Sequence, residues 1–269
     1  MRIVATSDCH GQLHKIEKSH WWFSGRRQIL LSIIDRLRIR AESSLDVGCG
    51  AGTNLDLLAQ RYPGGSFYGI DVELDPLLFC RADRAVPVCQ ASVAELPFKS
   101  SVFDLVTALD TLEHLEDDEA TLRELFRVCR PAGTLLLTVP AFSWLWGNVD
   151  RLGDHYRRYT RKELLRKVAG AGFSVQFVGF FNFLLFPPIA AIRLLARLLP
   201  GQHSADAQTI RSDFDLVKGG PLNTLLARIF SLETSLLHLK PPFGVSLVCV
   251  AVRNSREDRV VTPAPAYAV

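Results

Sequence analysis

Short, almost purely apolar runs recur through the middle of the chain, at Ser44–Val47, Ser66–Ile70, Val86–Cys89, Asp104–Leu109 and Thr134–Val139. Runs of four to six apolar residues without polar alternation suit strands buried on both faces. Between them lie stretches with helical spacing, such as Asn54–Arg61 and Asp117–Cys129. This alternation predicts a parallel sheet with helices on both sides. Upstream, residues 12–42 read as helix, with Ile29, Leu30, Ile33, Ile34 and Leu37 at helical intervals. Downstream, Thr160 with Glu163 makes a capping box for a helix over Arg161–Gly170. Gly172 stops that helix, Phe173–Gly179 reads as a strand, and Val245–Arg253 is the final strand.

The rhythm breaks between Phe180 and Lys240. Phe180–Leu199 is the most apolar stretch, but Pro187-Pro188 interrupts it and leaves less than the ~20 residues a membrane span needs. Arg193 and Arg197 put a thin basic stripe on its second half, and Leu222–Leu239 reads as a second amphipathic helix. The expected organisation is an N-terminal helical lid over 1–43, a domain of 44–180 completed by 241–254, a helical insertion over 181–240, and a disordered tail over 255–269 rich in Pro and Ala.

Composition narrows the partners. A net charge of +3 over 269 residues argues against a nucleic-acid partner. The six Cys (9, 49, 80, 89, 129, 249) form no CxxC pair and no Cys/His zinc spacing, which predicts reduced thiols in a cytoplasmic protein and no metal site. The start MRIVATSDCHG carries neither the basic opening nor the long apolar core of a signal peptide.

The strongest motif is Leu45–Thr53, LDVGCGAGT: a strand, a glycine bend and a helix start. Glycines there let backbone approach a ligand, and the helix start offers free N–H groups. Gly48 and Gly50 fit a dinucleotide fingerprint, but the third glycine of that pattern would fall at Thr53, whereas the chain has Gly52. Asp46 before the bend suits a cationic ligand group better than a pyrophosphate, and Asp71 at the end of the next strand suits ribose hydroxyls. An ammonium plus a ribose without a diphosphate describes S-adenosylmethionine (SAM).

With that motif the chain resembles the class I SAM-dependent methyltransferases. QASVAELPF (Gln90–Phe98) resembles the segment after the family's third strand, FDLVTALDTLEHL (Phe103–Leu115) its fourth strand and exit, and Arg130-Pro131-Ala132-Gly133 the turn before its fifth. Ser92 stands where most relatives carry Asp. The resemblance implies a Rossmann-like seven-stranded sheet with the last strand antiparallel, flanked by helices, with the insertion as a helical cap before that strand. It also implies cofactor contacts from Asp46, Gly48, Cys49, Gly50, Gly52, Asp71, Val72, Ser92, Val93 and Asp110. SHWWFSGRR, before the first strand, resembles a subgroup with an N-terminal HWWF segment. Trp21 and Trp22 then read either as a lid that excludes water or as anchors that fix a helix to the sheet, with Arg26 or Arg27 meeting the SAM carboxylate.

The acceptor side is expected in Pro140–Tyr159. His155, with Asp154 and Asp150 near it, is the first candidate base and His114 the second. Trp21, Trp144, Trp146, Tyr156, Arg157 and Arg158 are candidate acceptor contacts, the arginines equally readable as a solvated basic face. The expected acceptor is a small molecule, lipid- or sugar-linked, methylated on O or N. The two inserted helices fit a cap over the acceptor, a homodimer interface, or a peripheral membrane contact through 181–199. Two rivals stand beside this reading. One is a SAM-binding scaffold that does not react. The other is a metallophosphoesterase-like hydrolase, from Asp8-x-His10-Gly11 at the start and a faint echo in Gly147-Asn148-Val149-Asp150.

Overall fold

The computed structural model describes residues 17, 19–83, 86–198 and 219–254. The expectations on Asp8 and His10, on the helix ahead of residue 17 and on the tail 255–269 fall outside these residues.

Seven strands form one sheet in the order β3-β2-β1-β4-β5-β7-β6. They are β1 (Ser43–Val47), β2 (Ser66–Asp71), β3 (Val88–Gln90), β4 (Phe103–Leu109), β5 (Cys129–Pro140), β6 (Phe173–Phe181) and β7 (Ser246–Arg253). β1 pairs in parallel with β2 and β4, and β4 with β5, while β7 runs antiparallel between β5 and β6. The expected sheet is therefore present, and each strand lies within a few residues of its predicted run. β5 is the longest because Cys129 pairs with Phe103 ahead of a break in register over Arg130–Gly133, the run the sequence presents as a turn, and pairing resumes with Thr134 opposite Leu105.

Strand alternation builds the two cores. In β4, Val106 and Ala108 join one apolar cluster, and Leu105 and Leu109 join the other. In β7, Cys249 and Ala251 face the first, Val248 and Val250 the second. The first cluster is closed by helices over Asp118–Val128 (α4) and Arg161–Gly170 (α6). Asp117 caps α4 by accepting the Ala120 N–H at 2.8 Å, and Thr160 caps α6 by accepting the Glu163 N–H at 3.2 Å. The second cluster is closed by α1 (Trp21–Arg36), α2 (Thr53–Arg61) and α3 (Leu74–Asp83). The predicted stripe Ile29, Leu30, Ile33 and Ile34 is the buried face of α1.

A short helix α5 (Asn148–Leu152) follows β5. The insertion holds two more helices, α7 (Phe186–Leu198) and α8 (Gly220–Leu236). Pro187 and Pro188 interrupt the apolar stretch as expected, with the helix running on from them to Leu198. They sit in the first turn of α7, where a missing N–H costs nothing. α8 lies against α1. Trp21 N–H donates to Asn223 Oδ1 at 2.8 Å, the Trp21 ring packs edge-on to Phe230, and Phe230 stacks on Phe181 of β6. No described helix is long and apolar enough to cross a membrane. Ile192, Leu194 and Leu195 of α7 are nevertheless exposed.

Gly25 shows how closely α1 meets α8. A Cβ there would lie 2.1 Å from Phe230 Cδ1, so no side chain fits without moving the helix. Gly25→Ala is expected to lower the melting temperature by several degrees, because overpacking of roughly 1–3 kcal/mol outweighs the ~1 kcal/mol gain in helix propensity. Adding Phe230→Leu should return part of the loss, which a thermal-melt comparison of the three proteins checks.

α8 also carries a buried acid. Glu233 is fully buried; it accepts the Leu184 N–H at 2.8 Å, and its Oε2 has no hydrogen-bond partner. Burial pushes its carboxyl up from the usual value to about 7. The folded state thus binds this proton more tightly than the unfolded chain. The resulting stabilisation is complete below the unfolded carboxyl range and is lost as pH rises through about 7. The melting temperature is expected to fall between pH 5 and pH 8. Glu233→Gln, which keeps the acceptor oxygen, should flatten that fall, and an equally steep fall in the variant would remove Glu233 as its source.

Candidate functional site

All the features tied to the glycine motif gather at the carboxyl ends of β1, β2 and β4, where ligands of open α/β sheets lie. After β1 the chain turns through Gly48, Gly50 and Gly52, each with a positive φ (70°, 52° and 82°). Gly48 and Cys49 N–H both donate to Ile70 O at 2.9 Å, which locks the bend onto β2. A Cβ on Gly48 would meet Thr111 Oγ1 at 2.7 Å, so that position admits no side chain. Gly50 instead faces open space, its nearest neighbour being Glu17 Oε1 at 4.0 Å.

Asp71 holds this bend from the end of β2. Its Oδ2 accepts the Gly50 N–H at 2.8 Å and its Oδ1 accepts the Glu73 N–H at 2.9 Å. Asp46 lies deeper and is fully buried, with Thr107 Oγ1 donating to its Oδ1 at 2.6 Å. Its Oδ2 has no hydrogen-bond partner. Burial raises its carboxyl to about 6, even though Thr107 and the nearby Arg26 favour the charged form. The cationic partner that the sequence assigns to Asp46 therefore has to reach a carboxylate set below the surface of the cleft.

α1 brings Arg26 over this end of the sheet. The buried guanidinium pairs with Asp110, lies 3.4 Å from Asn54 Oδ1, and is stacked 4.9 Å from the Trp22 ring centroid. Arg27, the other candidate for the cofactor carboxylate, donates to Glu17 O at 2.7 Å. Glu17 in turn accepts from Thr53 Oγ1 at 2.6 Å and so stands at the amino end of α2. A carboxylate there is what a helix start and a glycine bend attract. The two tryptophans divide the work: Trp22 supports Arg26, and Trp21 ties α1 to α8. His20 caps α1 by accepting the Trp22 N–H at 3.2 Å. Val72 is exposed beside Asp71, Val93 is buried, and Ser92 is exposed with its Oγ accepting the Ala94 N–H at 3.2 Å.

In the segment after β5, Asp150 and His155 meet as expected. His155 Nδ1 lies 2.9 Å from Asp150 Oδ1. Asp150 also accepts from Arg158 Nε at 2.8 Å and from Gly147 N–H at 2.7 Å. Burial alone would raise its carboxyl, but the bonds from His155 and Arg158 outweigh that and hold it at about 2. The His114 ring packs edge-on to His155 with centroids 4.5 Å apart. Arg158 and Arg157 have protein partners. Arg158 donates to Asp150 and to Ala141 O, while Arg157 donates to Glu116 O at 2.6 Å and pairs with Asp118. Tyr156 is exposed, and Trp146 is half-buried. Trp144 stacks on Phe142 and meets Phe186 edge-on. Phe142 also stacks on Phe180, and Phe186 lies 5.1 Å from Phe243, which makes an aromatic wall shared by the post-β5 loop and the insertion.

Sequence reasoning missed three members of this region. Glu17 closes over the bend, Thr107 orients Asp46, and Glu113 is buried next to Asp110 with its Oε2 unpartnered. Only Glu113 had a signal, as the neighbour of His114 in TLEHL. A groove of about 610 Å³ between Asp35–Glu42 and Arg61–Gly65 lies at the amino ends of β1 and β2, away from all these groups.

The strand order with one antiparallel strand, the glycine bend gripped by an acid from β2, and the orphaned acid beneath it are the arrangement that the resemblance to class I methyltransferases implies. Residues 45–137 match the methyltransferase-domain family. A Mycobacterium tuberculosis (strain H37Rv) protein described as a "probable S-adenosylmethionine-dependent methyltransferase" is 30% identical over 173 residues, 62% of this chain and 61% of its own. The ubiquinone biosynthesis O-methyltransferase of Pseudomonas fluorescens (strain SBW25) is 32% identical over 115 residues, 39% of this chain and 47% of its own. Among solved structures, the [4+2]-cyclase SpnF superposes with a TM-score of 0.56 at 20% identity, covering 94% of this chain and 98% of that one. That likeness is one of fold. The chain spans about half to 62% of the length of the curated relatives it matches. Over residues 45–137 the chain is thus similar to SAM-dependent methyltransferases, whose cofactor is S-adenosylmethionine.

The residues present fit that cofactor. Gly50 offers a cradle that a side chain would narrow, and Asp46 Oδ2 offers a buried acceptor without a partner.

Proposed function

We propose that this chain transfers a methyl group from SAM to a hydroxyl or amine of a small acceptor with an apolar part. The observation that carries the reading is the bend itself: the Asp71 carboxylate bonded to the Gly50 N–H, with the orphaned Asp46 oxygen beneath it. SAM, when bound, supplies a methyl group on a positive sulfur. Asp46 and the bend hold its amino-acid end, Asp71 its ribose, and the segment at Ser92 and Val93 its adenine edge. Arg26 meets the cofactor carboxylate, exchanging part of its bond to Asp110.

The protein's share of the chemistry is positioning and proton handling. An in-line displacement gains most from holding the reacting atoms in one geometry. His155 is aimed by Asp150, which Arg158 and the Gly147 N–H fix in turn, so one imidazole nitrogen is committed and Nε2 is left for the acceptor proton. The aromatic wall of Phe142, Trp144, Phe180, Phe186 and Phe243 favours an apolar acceptor body. The ubiquinone enzyme among the relatives acts in a pathway of that chemistry. Calorimetry with SAM and S-adenosylhomocysteine, followed by turnover of methyl-labelled SAM over a panel of phenols, sugars and isoprenoid-linked alcohols, tests the reading. No binding of either nucleoside would end it. Binding without turnover on any acceptor would favour the non-reacting scaffold.

A further inference from the structure

Three metal-ligating side chains converge at the exit of β4. A carboxylate oxygen of Glu113 and one ring nitrogen each from His114 and His155 lie within 4.8 Å of one another. From these we infer a binding site for one divalent transition-metal ion, with Zn2+ as the representative, formed by Glu113, His114 and His155. The inference deepens the acceptor-side reading above and rests on it for the ion's role.

The surroundings are those of a ligand set. Glu113 is 1% exposed, and its Oε2 has no hydrogen-bond partner. Burying a carboxylate without a partner is costly, and a bound cation removes that cost. Each imidazole has one nitrogen already oriented. Asp150 holds His155 Nδ1, and the Gly153 carbonyl faces the His114 ring. Metal-bound histidines usually have their second nitrogen fixed this way by a carboxylate or a carbonyl. Gly153 also leaves the His155 edge uncovered, since a Cβ there would lie 3.0 Å from Nε2. Two imidazoles and one carboxylate suit zinc or a neighbouring first-row metal and leave further positions open. At roughly 2.0–2.1 Å from each ligand, the ion draws the three atoms together by about an ångström, a shift that side-chain rotation supplies.

An ion held by these three side chains would supply Lewis-acid chemistry: it would lower the pKa of an acceptor hydroxyl bound at an open position, and the proton would leave to water. With the metal bound, water takes over the proton-accepting duty that falls to His155 without it.

The test uses the full chain stripped with a chelator, then titrated calorimetrically with Zn2+ and, in separate cells, with SAM. Wild type is expected to take up one Zn2+ per chain. Glu113→Gln and His114→Ala should each weaken that uptake at least about tenfold while SAM affinity stays the same. Co2+ in place of Zn2+ should give visible absorption bands in wild type and lose them in both variants. The metal-free Glu113→Gln protein should melt no lower than wild type, because the orphaned buried charge is gone. No Zn2+ uptake by wild type, or equal uptake by both variants, overturns the site, as does a lower melting temperature of metal-free Glu113→Gln. Loss of SAM binding alone counts against the cofactor reading and leaves the metal result standing.

Discussion

Asp71→Ala is expected to weaken SAM binding by ten- to a hundredfold in a calorimetric titration. The carboxylate does two things at once. In the proposed function it accepts ribose hydroxyls at the end of β2, and in the structure it anchors the bend through the Gly50 and Glu73 N–H groups. Hydrogen bonds to a charged group contribute about 1.5–3 kcal/mol, which is the stated range in affinity. Stability should change little, since Asp71 is only half-buried and touches no apolar cluster. An unchanged dissociation constant would remove Asp71 from the site.

His155→Ala should lower turnover by about a hundredfold or more while leaving SAM affinity intact. Loss of a positioned proton acceptor or of a metal ligand has that magnitude. The Asp150–His155 bond lies in the post-β5 loop, apart from the glycine bend, so the two effects separate. Asp150→Asn should reproduce the loss in rate and add a loss of stability, because it leaves the buried Arg158 guanidinium without its charge partner. Turnover equal to wild type in His155→Ala would exclude the ring from the reaction, while a parallel drop in SAM affinity would mean the loop supports the cofactor cleft instead.

The glycine bend was legible because it is local. LDVGCGAGT places strand, bend and helix within nine residues, and the positive φ values of Gly48, Gly50 and Gly52 follow from the residue type. Asp71 was legible for the same reason, since an acid at a strand end needs no long-range contact to be placed. The pairing of His155 with Asp150 was also within reach, being five residues apart. Arg26 and Asp110 were each expected near the cofactor, but their mutual ion pair was not, because 84 residues separate them. Separations of 61 and 36 residues likewise hid Thr107 beneath Asp46 and Glu17 above Thr53. The arginine-rich YRRY segment misled in a physical way: guanidiniums that look available in sequence find carbonyls and carboxylates once the loop folds back on β5.

By itself the sequence determined the strands, most of the helices and the glycine bend, because strand burial and helical spacing are written in patterns a few residues long. It left open what Trp21 and Trp22 do and where the insertion goes. Only the tertiary structure decided these, by packing Phe230 of α8 against Gly25 and Trp21 and by setting Trp22 under Arg26. The Phe230 contacts join residues some two hundred positions apart, and side-chain volume fixes them rather than any local periodicity.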